Sequence, residues 1–246
     1  EKDALLEVSM TGIASNKLLK LDLEEAANIA KDVNELISKE IGIKPAARIT
    51  CVKPAGTTSC VLGTSSGIHA WHDKYYIRRI RVGKNEAIYN YLALNHNNLI
   101  EDCVFRPHDT AVISLPQKSP KGATTRDESA IDLLERVKWV ATQWVNEGHT
   151  QGMNTHNVSA TISIRDNEWN DVSKWMWDNR RYYNGLSVLP YDGGSYKQAP
   201  FESITPQRYN KLMEDLTTID LREVIELTDE TNLQGEIACA GGVCEI

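Results

Sequence analysis

Two groups of residues in this 246-residue chain have types and spacings that do chemistry. One closes the sequence: Cys239-Ala240-Gly241-Gly242-Val243-Cys244-Glu245-Ile246. A disulfide needs its Cα atoms ~4.4–6.8 Å apart, and Gly241 and Gly242 give the backbone freedom to turn back on itself. The polar stretch 228–237 (TDETNLQGEI) has little to bury, so the thiols are expected on a mobile arm. Residues 228–238 would reach at most ~36–40 Å when extended and average roughly 17–20 Å as a coil. Such a dithiol suits redox exchange between a cleft and the surface; the same residues also fit a frayed terminus or half of a metal site. The other group is Lys53-Pro54-Ala55-Gly56-Thr57-Thr58-Ser59, which leaves a strand and runs into Cys60-Val61-Leu62 and Gly63. Backbone N–H groups, three hydroxyls and the positive end of a helix dipole are the parts of an anion site, and phosphate is the obvious anion. It is not a Walker A loop, since the Gly-Lys-Ser/Thr ending is missing, and Thr or Ser at a helix start is also an ordinary cap.

The remaining candidates are weaker. His69 and His72 lie three apart in His69-Ala70-Trp71-His72-Asp73, but no further ligand completes a metal set, so none is assigned and the segment reads as a polar turn packing through Trp71. Cys51 and Cys60 read as inert core thiols. Cys103, beside Glu101 and Asp102, is expected to stay a neutral thiol.

These groups need elements to position them. Residues 5–10 alternate in polarity and predict a strand that turns at Thr11-Gly12. Residues 22–41 predict an amphipathic helix with Ala26, Ala30, Val33, Ile37 and Ile41 on its apolar face and Gly42 as its stop. Strands are predicted at 48–53, 75–82, 110–115 (ended by Pro116), 158–164 and 185–189 (ended by Pro190). Thr125-Arg126-Asp127-Glu128 has capping-box spacing ahead of a helix whose buried stripe is Ala130, Leu133, Leu134, Val137, Val140, Ala141, Trp144 and Val145. A helix over 168–181 carries Trp169, Val172, Trp175 and Met176, and a last one begins with Thr205 as N-cap and Pro206 at its first position. The order is that of an α/β protein. About six partly exposed strands suit half of a larger sheet.

A net charge of −7 and pI near 5.4 argue against nucleic-acid binding. No apolar run approaches a membrane span and no signal peptide opens the chain. Five cysteines suit a reducing cytoplasm better than a disulfide scaffold. The chain begins at Glu1 without a methionine, which reads as a processed product or the downstream piece of something larger.

KPAGTTSCVLGTSSGIHAWHDKYYIRRIRV, NVSATISIRDNEWNDVSKWMWDN, GLSVLPYDGGSYKQAP, the terminal CAGGVC and the Val8–Ile13 segment together resemble the C-terminal portion of adenosylcobalamin-dependent (class II) ribonucleotide reductases. The resemblance implies a ten-stranded α/β barrel of two five-stranded halves, with residues 1–227 forming the C-terminal half and 228–246 a mobile redox tail. In that family a finger loop carries the thiyl-radical cysteine within Asn-Pro-Cys-Gly-Glu; no such segment occurs here, so it is expected on an N-terminal half that acts as partner, and this chain alone is expected to be inactive. Ala55, Gly56, Thr57, Thr58 and Ser59 match the loop that holds the substrate's phosphates, with Ala55 standing where the family commonly has Ser. Cys239 and Cys244 match the dithiol that re-reduces the active-site disulfide and is itself reduced by thioredoxin or glutaredoxin. Leu189-Pro190-Tyr191 lacks the adjacent tyrosines of the oxygen-dependent class, and no glycyl-radical segment is present. Implied are adenosylcobalamin as cofactor, a ribonucleotide substrate and a cytoplasmic location.

Overall fold

Leu5–Ser9 forms β1, which among the described residues has one ladder, a parallel one to β2 (Arg48–Cys51); between them runs the helix α1 (Leu23–Ile41). Along the chain follow α2 (Gly56–Val61), β3 (Tyr75–Gly83), α3 (Ala87–Asn95), β4 (Ile100–Asp102), β5 (Thr110–Lys118), α4 (Ala130–Val140), β6 (Thr161–Ile164), α5 (Trp169–Asp178), β7 (Ser187–Pro190), β8 (Phe201–Ser203) and α6 (Pro206–Glu214). This computed structural model describes residues 4–193 and 196–226. Contacts divide the chain into two units: residues up to Trp71 with Pro120–Asp192, and His72–Ser119 with those from Gly193 on. The sequence reading does not draw this division.

In the first unit, β1–β2 and β6–β7 are both parallel pairs, and a single parallel bridge, Val52–Val158, carries hydrogen bonding from the end of β2 toward β6. Helices pack on this surface through one core that includes Ile13, Val52, Ile68, Leu134, Val137, Val140, Ile162 and Ile164. The expected face of the 158–164 strand, Val158, Ala160, Ile162 and Ile164, is fully inward, as period-two alternation requires. So is the whole predicted stripe of α4. Its cap differs: Ser129 accepts from the Asp132 N–H and Asp132 accepts from the Ser129 N–H, so the capping box sits four residues beyond the expected one. Thr125 instead bridges Trp71.

α4 runs directly into a π-helical turn, Ala141–Val145. The Thr50 hydroxyl donates to the Trp144 carbonyl at 2.6 Å, and the Trp144 indole N–H donates to the Cys51 carbonyl at 3.0 Å. A Cβ on Gly148 would fall 1.8 Å from Thr50 Oγ1. Glycine at that position therefore lets the widened turn sit against β2.

α1 is the main departure. Its ends match: Asp22 caps the Glu25 N–H and Gly42 closes it with φ +76°. Its inward face, however, is Leu23, Ala27, Asn34 and Ser38. Asn34 Oδ1 accepts from the Ala46 N–H, and Ser38 Oγ donates to the Glu35 carbonyl, so the polar residues turned inward are satisfied. Of the expected apolar face, Ala26 packs on the core and Ala30 is half-buried, but the rest is turned out: Val33, Ile37 and Ile41 are 51%, 44% and 62% exposed, as are Ile29, Leu36 and Ile43.

The second unit is an antiparallel sheet in the order β4-β5-β3-β8, with β3 and β5 paired over nine positions. β5 continues through Pro116, which was expected to end it. Pro116 pairs with Ile77 on β3, while β4 pairs only with Ala111, Val112 and Ile113, so the missing N–H falls outside the stretch that β4 covers. Val82, Tyr91, Leu92, Ala111 and Ile113 form a second core. Arg79 is ion-paired with Glu202 and, at 3.7 Å, with Glu101. After α6, residues 215–226 lie along α3 and the turn that follows it: Ile219 and Val224 pack on the second core, and Asn98 Nδ2 donates to the Asp215 carbonyl. The sheets are small and open.

Candidate functional site

The loop between β2 and α2 is built by backbone rather than by side chains. Ala55 is the N-cap of α2 and Gly56 opens the helix at φ +44°, a left-handed value that suits glycine. The first N–H groups of a helix have no partner inside it, and here these are the N–H groups of Gly56 and Thr57. The hydroxyls divide. Thr58 is exposed, whereas Ser59 is buried and its Oγ donates to the Gly56 carbonyl at 2.7 Å. The Ser59 hydroxyl proton thus braces the helix turn. The Thr57 side chain lies outside the described residues.

Two further segments close around the loop. The Ala55 N–H donates to Ser66 Oγ at 2.9 Å. Gly12 and Thr11 both donate to the Ser65 carbonyl, and Thr11 Oγ1 accepts from the Gly67 N–H. The approach is close enough that a Cβ on Gly67 would stand 2.6 Å from the Lys53 carbonyl, and one on Gly12 2.3 Å from Thr64 Oγ1. Ser65 Oγ is buried with no hydrogen-bond partner among the described residues. The sequence reading did not place Thr11, Gly12 or the 63–67 loop beside the 55–59 loop. Their signal was the Gly-Thr-Ser-Ser-Gly run, two glycines bracketing three hydroxyls just after α2.

Charge at the loop base is already matched. Lys53 pairs with Glu7 at 2.5 Å, and this hydrogen bond holds the Glu7 carboxyl below its ordinary value and the Lys53 ammonium above it. His69 donates from Nδ1 to the Ser66 carbonyl (3.2 Å) and accepts at Nε2 from the Thr161 N–H (3.0 Å). The Thr161 donor fixes that tautomer. Burial pushes its pKa down, and the Arg136 charge adds to the effect. Trp71 is buried, as the turn reading expected, and its indole N–H donates to Ser15 Oγ. Among the described residues no cluster of three or more His, Cys, Asp or Glu could hold a metal, and no helix is long and apolar enough to cross a membrane.

The cysteines differ from expectation in two cases. Cys51 is buried and burial raises its thiol pKa. Cys60 is exposed on α2, not in the core. Cys103 is buried, and burial alone would raise its pKa, but the Phe105 and Arg106 N–H groups and the Arg81 guanidinium outweigh it and hold the thiol below its ordinary value. The expectation that the neighbouring carboxylates would keep it neutral fails because they point elsewhere, Asp102 to Lys84 at 2.6 Å and Glu101 toward Arg79. Cys239 and Cys244 lie outside the described residues.

No family model matches the chain. It is 28% identical over 219 residues to the adenosylcobalamin-dependent ribonucleoside-triphosphate reductase of Euglena gracilis, covering 86% of this chain and 29% of that protein. The protein of the same name from Lactobacillus helveticus (strain DPC 4571) is 28% identical over 214 residues, covering 85% and 28%. The chain resembles the class II ribonucleotide reductases. The fold agrees: a crystal structure of a B12-dependent (class II) ribonucleotide reductase superposes with a TM-score of 0.71 over 91% of this chain and 34% of that one, at 22% identity. The reductase-like chain thus spans less than a third of the length of these curated relatives.

Proposed function

We propose that this chain is the C-terminal part of an adenosylcobalamin-dependent ribonucleotide reductase, supplying the wall that grips the substrate's phosphates and the dithiol that recharges the active site. The likeness to curated ribonucleoside-triphosphate reductases over 86% of the chain carries the reading. The 55–59 loop supports it, with two helix-start N–H groups and the exposed Thr58. Their names favour a triphosphate as substrate.

In the whole enzyme the ribose 2′-OH leaves as water, hydrogen takes its place, and two thiols become a disulfide. Backbone N–H groups at α2 would hold phosphate oxygens with the helix dipole behind them, and Thr57 and Thr58 would add hydroxyl donors. Because Ser59 already donates inward, Ala55 in place of serine costs the grip one hydroxyl and leaves the backbone donors intact. Cys239 and Cys244 would reduce the active-site disulfide by exchange and be reduced in turn by thioredoxin or glutaredoxin. Residues 1–227 act as the barrel half and 228–246 as the redox tail.

Adenosylcobalamin supplies radical initiation when bound. The polar notch between Asn146, His156, Asn157, Arg181 and Asn184 holds only about 20 Å³, far too small for a corrinoid. The Asn-Pro-Cys-Gly-Glu segment is missing from this sequence, so the radical cysteine, and the cofactor with it, are assigned to an N-terminal half. A docking partner of that kind fits the exposed aliphatic face of α1 and the wholly exposed β1, which among the described residues has a ladder on one side only.

The test is Thr57→Val with Thr58→Val in the assembled enzyme. Hydrogen bonds to charged groups contribute ~1.5–3 kcal/mol each, so triphosphate affinity should fall at least about tenfold, by equilibrium binding, with the fold unchanged. Unchanged affinity would reduce the loop to a helix cap. Cys239→Ser with Cys244→Ser should spare the first turnover of pre-reduced enzyme and abolish thioredoxin-driven cycling.

A further inference from the structure

We infer that His69 is a positioning residue of the phosphate loop: its neutral imidazole ties Ser66 to β6, and Ser66 holds the residue from which the loop's helix starts. The inference rests on the phosphate grip proposed for residues 55–59. Ala55 carries no hydroxyl, and α2 has no side-chain cap of its own. The Ala55 N–H is instead taken by Ser66 Oγ at 2.9 Å, so the start of the helix is set from outside it. Ser66 is in turn fixed by His69. The Ser66 carbonyl accepts twice from that residue, from the backbone N–H at 3.0 Å and from Nδ1–H at 3.2 Å. The other ring nitrogen, Nε2, accepts from the Thr161 N–H on β6 at 3.0 Å. The neighbours of Ser66 are tied in another direction, Ser65 and Gly67 to residues 11–13. The imidazole thus joins the 63–67 loop to β6.

The ring makes this bridge only while Nε2 keeps its lone pair. Its surroundings disfavour a second proton. Thr161 presents an N–H from β6, and Arg136 on α4 brings a positive charge, itself held bidentate by Glu128 at 2.7 Å. The 63–67 loop presents the Ser66 carbonyl, which accepts from Nδ1–H in either charge state. Burial, and after it the Arg136 charge, hold the ring's pKa below its ordinary value, while the Ser66 carbonyl works the other way. A proton at Nε2 would set two donors against each other and break the link to β6. Ser66 would then be held by its own turn alone, and the helix start that it orients would lose its set position. Small displacements of a positioned donor weaken its contact with the group it meets. His69 acts through Ser66 and not on the substrate.

Equilibrium binding of a ribonucleoside triphosphate to the assembled reductase tests this. Ser66→Ala removes the acceptor of the Ala55 N–H, and His69→Leu removes both ring contacts. Each should weaken binding about three- to tenfold, as the loss of one or two net hydrogen bonds implies. The two together should cost little more than the larger single loss, because they break one chain of contacts. His69→Gln keeps a donor and an acceptor and does not titrate, so it should bind near the wild-type level at neutral pH. The ratio of wild-type to His69→Gln affinity should be level above pH 6.5 and fall below it as the pH nears the folded pKa of His69. Taking the ratio cancels the titration of the triphosphate itself, near about pH 6. Fully additive losses, no loss in either single variant, or a ratio that does not change with pH overturn the positioning role. The Thr57→Val, Thr58→Val variant separates the two readings. If it and the His69 and Ser66 variants all bind normally, the phosphate grip itself fails, whereas weakened binding in the threonine variant alone removes only the role of His69.

Discussion

α1 and α4 carry the same kind of apolar periodicity and meet opposite fates. α4 buries every residue of its stripe. α1 turns Val33, Ile37 and Ile41 of its stripe outward and packs on this chain through Leu23, Ala27, Asn34 and Ser38. Periodicity reports that a helix has an apolar face; it does not report whether the segment in hand supplies the cover. A helix that packs through Leu23, Ala27, Asn34 and Ser38 while exposing Val33, Leu36, Ile37 and Ile41 offers an aliphatic face to solvent, the face on which the proposed partner would dock.

Four measurements sharpen or break the contrast, all by denaturant unfolding unless stated. Leu134→Ala, at a fully buried site on α4, should cost about 2–5 kcal/mol. Gly148→Ala comes next: the added methyl meets Thr50 Oγ1, and relief by shifting the π-turn should cost about 1–3 kcal/mol. The third is a pH effect at His69. Its folded pKa lies below the unfolded value of 6.5, so its contribution is complete above pH 6.5 and declines as pH falls below that value toward the folded pKa. The decline cannot exceed about 1.4 kcal/mol per pH unit. Because protonated Nε2 no longer accepts from Thr161, the protection of that amide against hydrogen exchange, taken relative to its intrinsic rate at each pH, should fall on acidification, and the fall should vanish in His69→Gln. Smallest is Leu36→Ala on the open face of α1, at about 0.5 kcal/mol or less in this chain. A cost for Leu36→Ala equal to that for Leu134→Ala in the chain alone would mean that α1 is already covered.

What could be read from the residues follows the same division. Local chemistry was legible where one interaction dominates. Thr205 and Pro206 open α6, with Thr205 Oγ1 accepting from Arg208, and the β6 and α4 faces came from simple alternation and spacing. Two S/T-x-x-D/E runs four residues apart, from Thr125 and from Ser129, compete for one cap, and only the tertiary bridge of Thr125 to Trp71 decides between them. α3 reads Ala-Ile-Tyr-Asn-Tyr-Leu-Ala-Leu-Asn, apolar nearly all round, so no stripe announces it. β4 and β8 are three residues each, shorter than a pattern needs. At the site, the 55–59 loop stood out because a strand, a Pro-x-Gly turn and hydroxyls are contiguous. Thr11, Gly12 and Ser65 did not, because their meeting is made by long-range backbone bonds. The charge around Cys103 was misread for a related reason: adjacency in sequence put carboxylates next to the thiol, while the fold aims N–H groups and Arg81 at it.

The bond between Trp71 and the chain after Pro120 has a consequence for how this molecule can vary. The Trp71 N–H donates to the Thr124 carbonyl and the Trp71 carbonyl accepts from the Arg126 N–H, so the chain departs and returns through adjacent, mutually locked points. Forty-eight residues, 72–119, leave and re-enter at this gate. Closing an excursion of that kind costs entropy that grows only with the logarithm of its length, about 0.6 kcal/mol for each doubling. Insertions and deletions inside it are therefore cheap so far as the gate is concerned, and the excursion can lengthen, shrink or acquire new surface while the turn at residues 55–67 keeps its geometry.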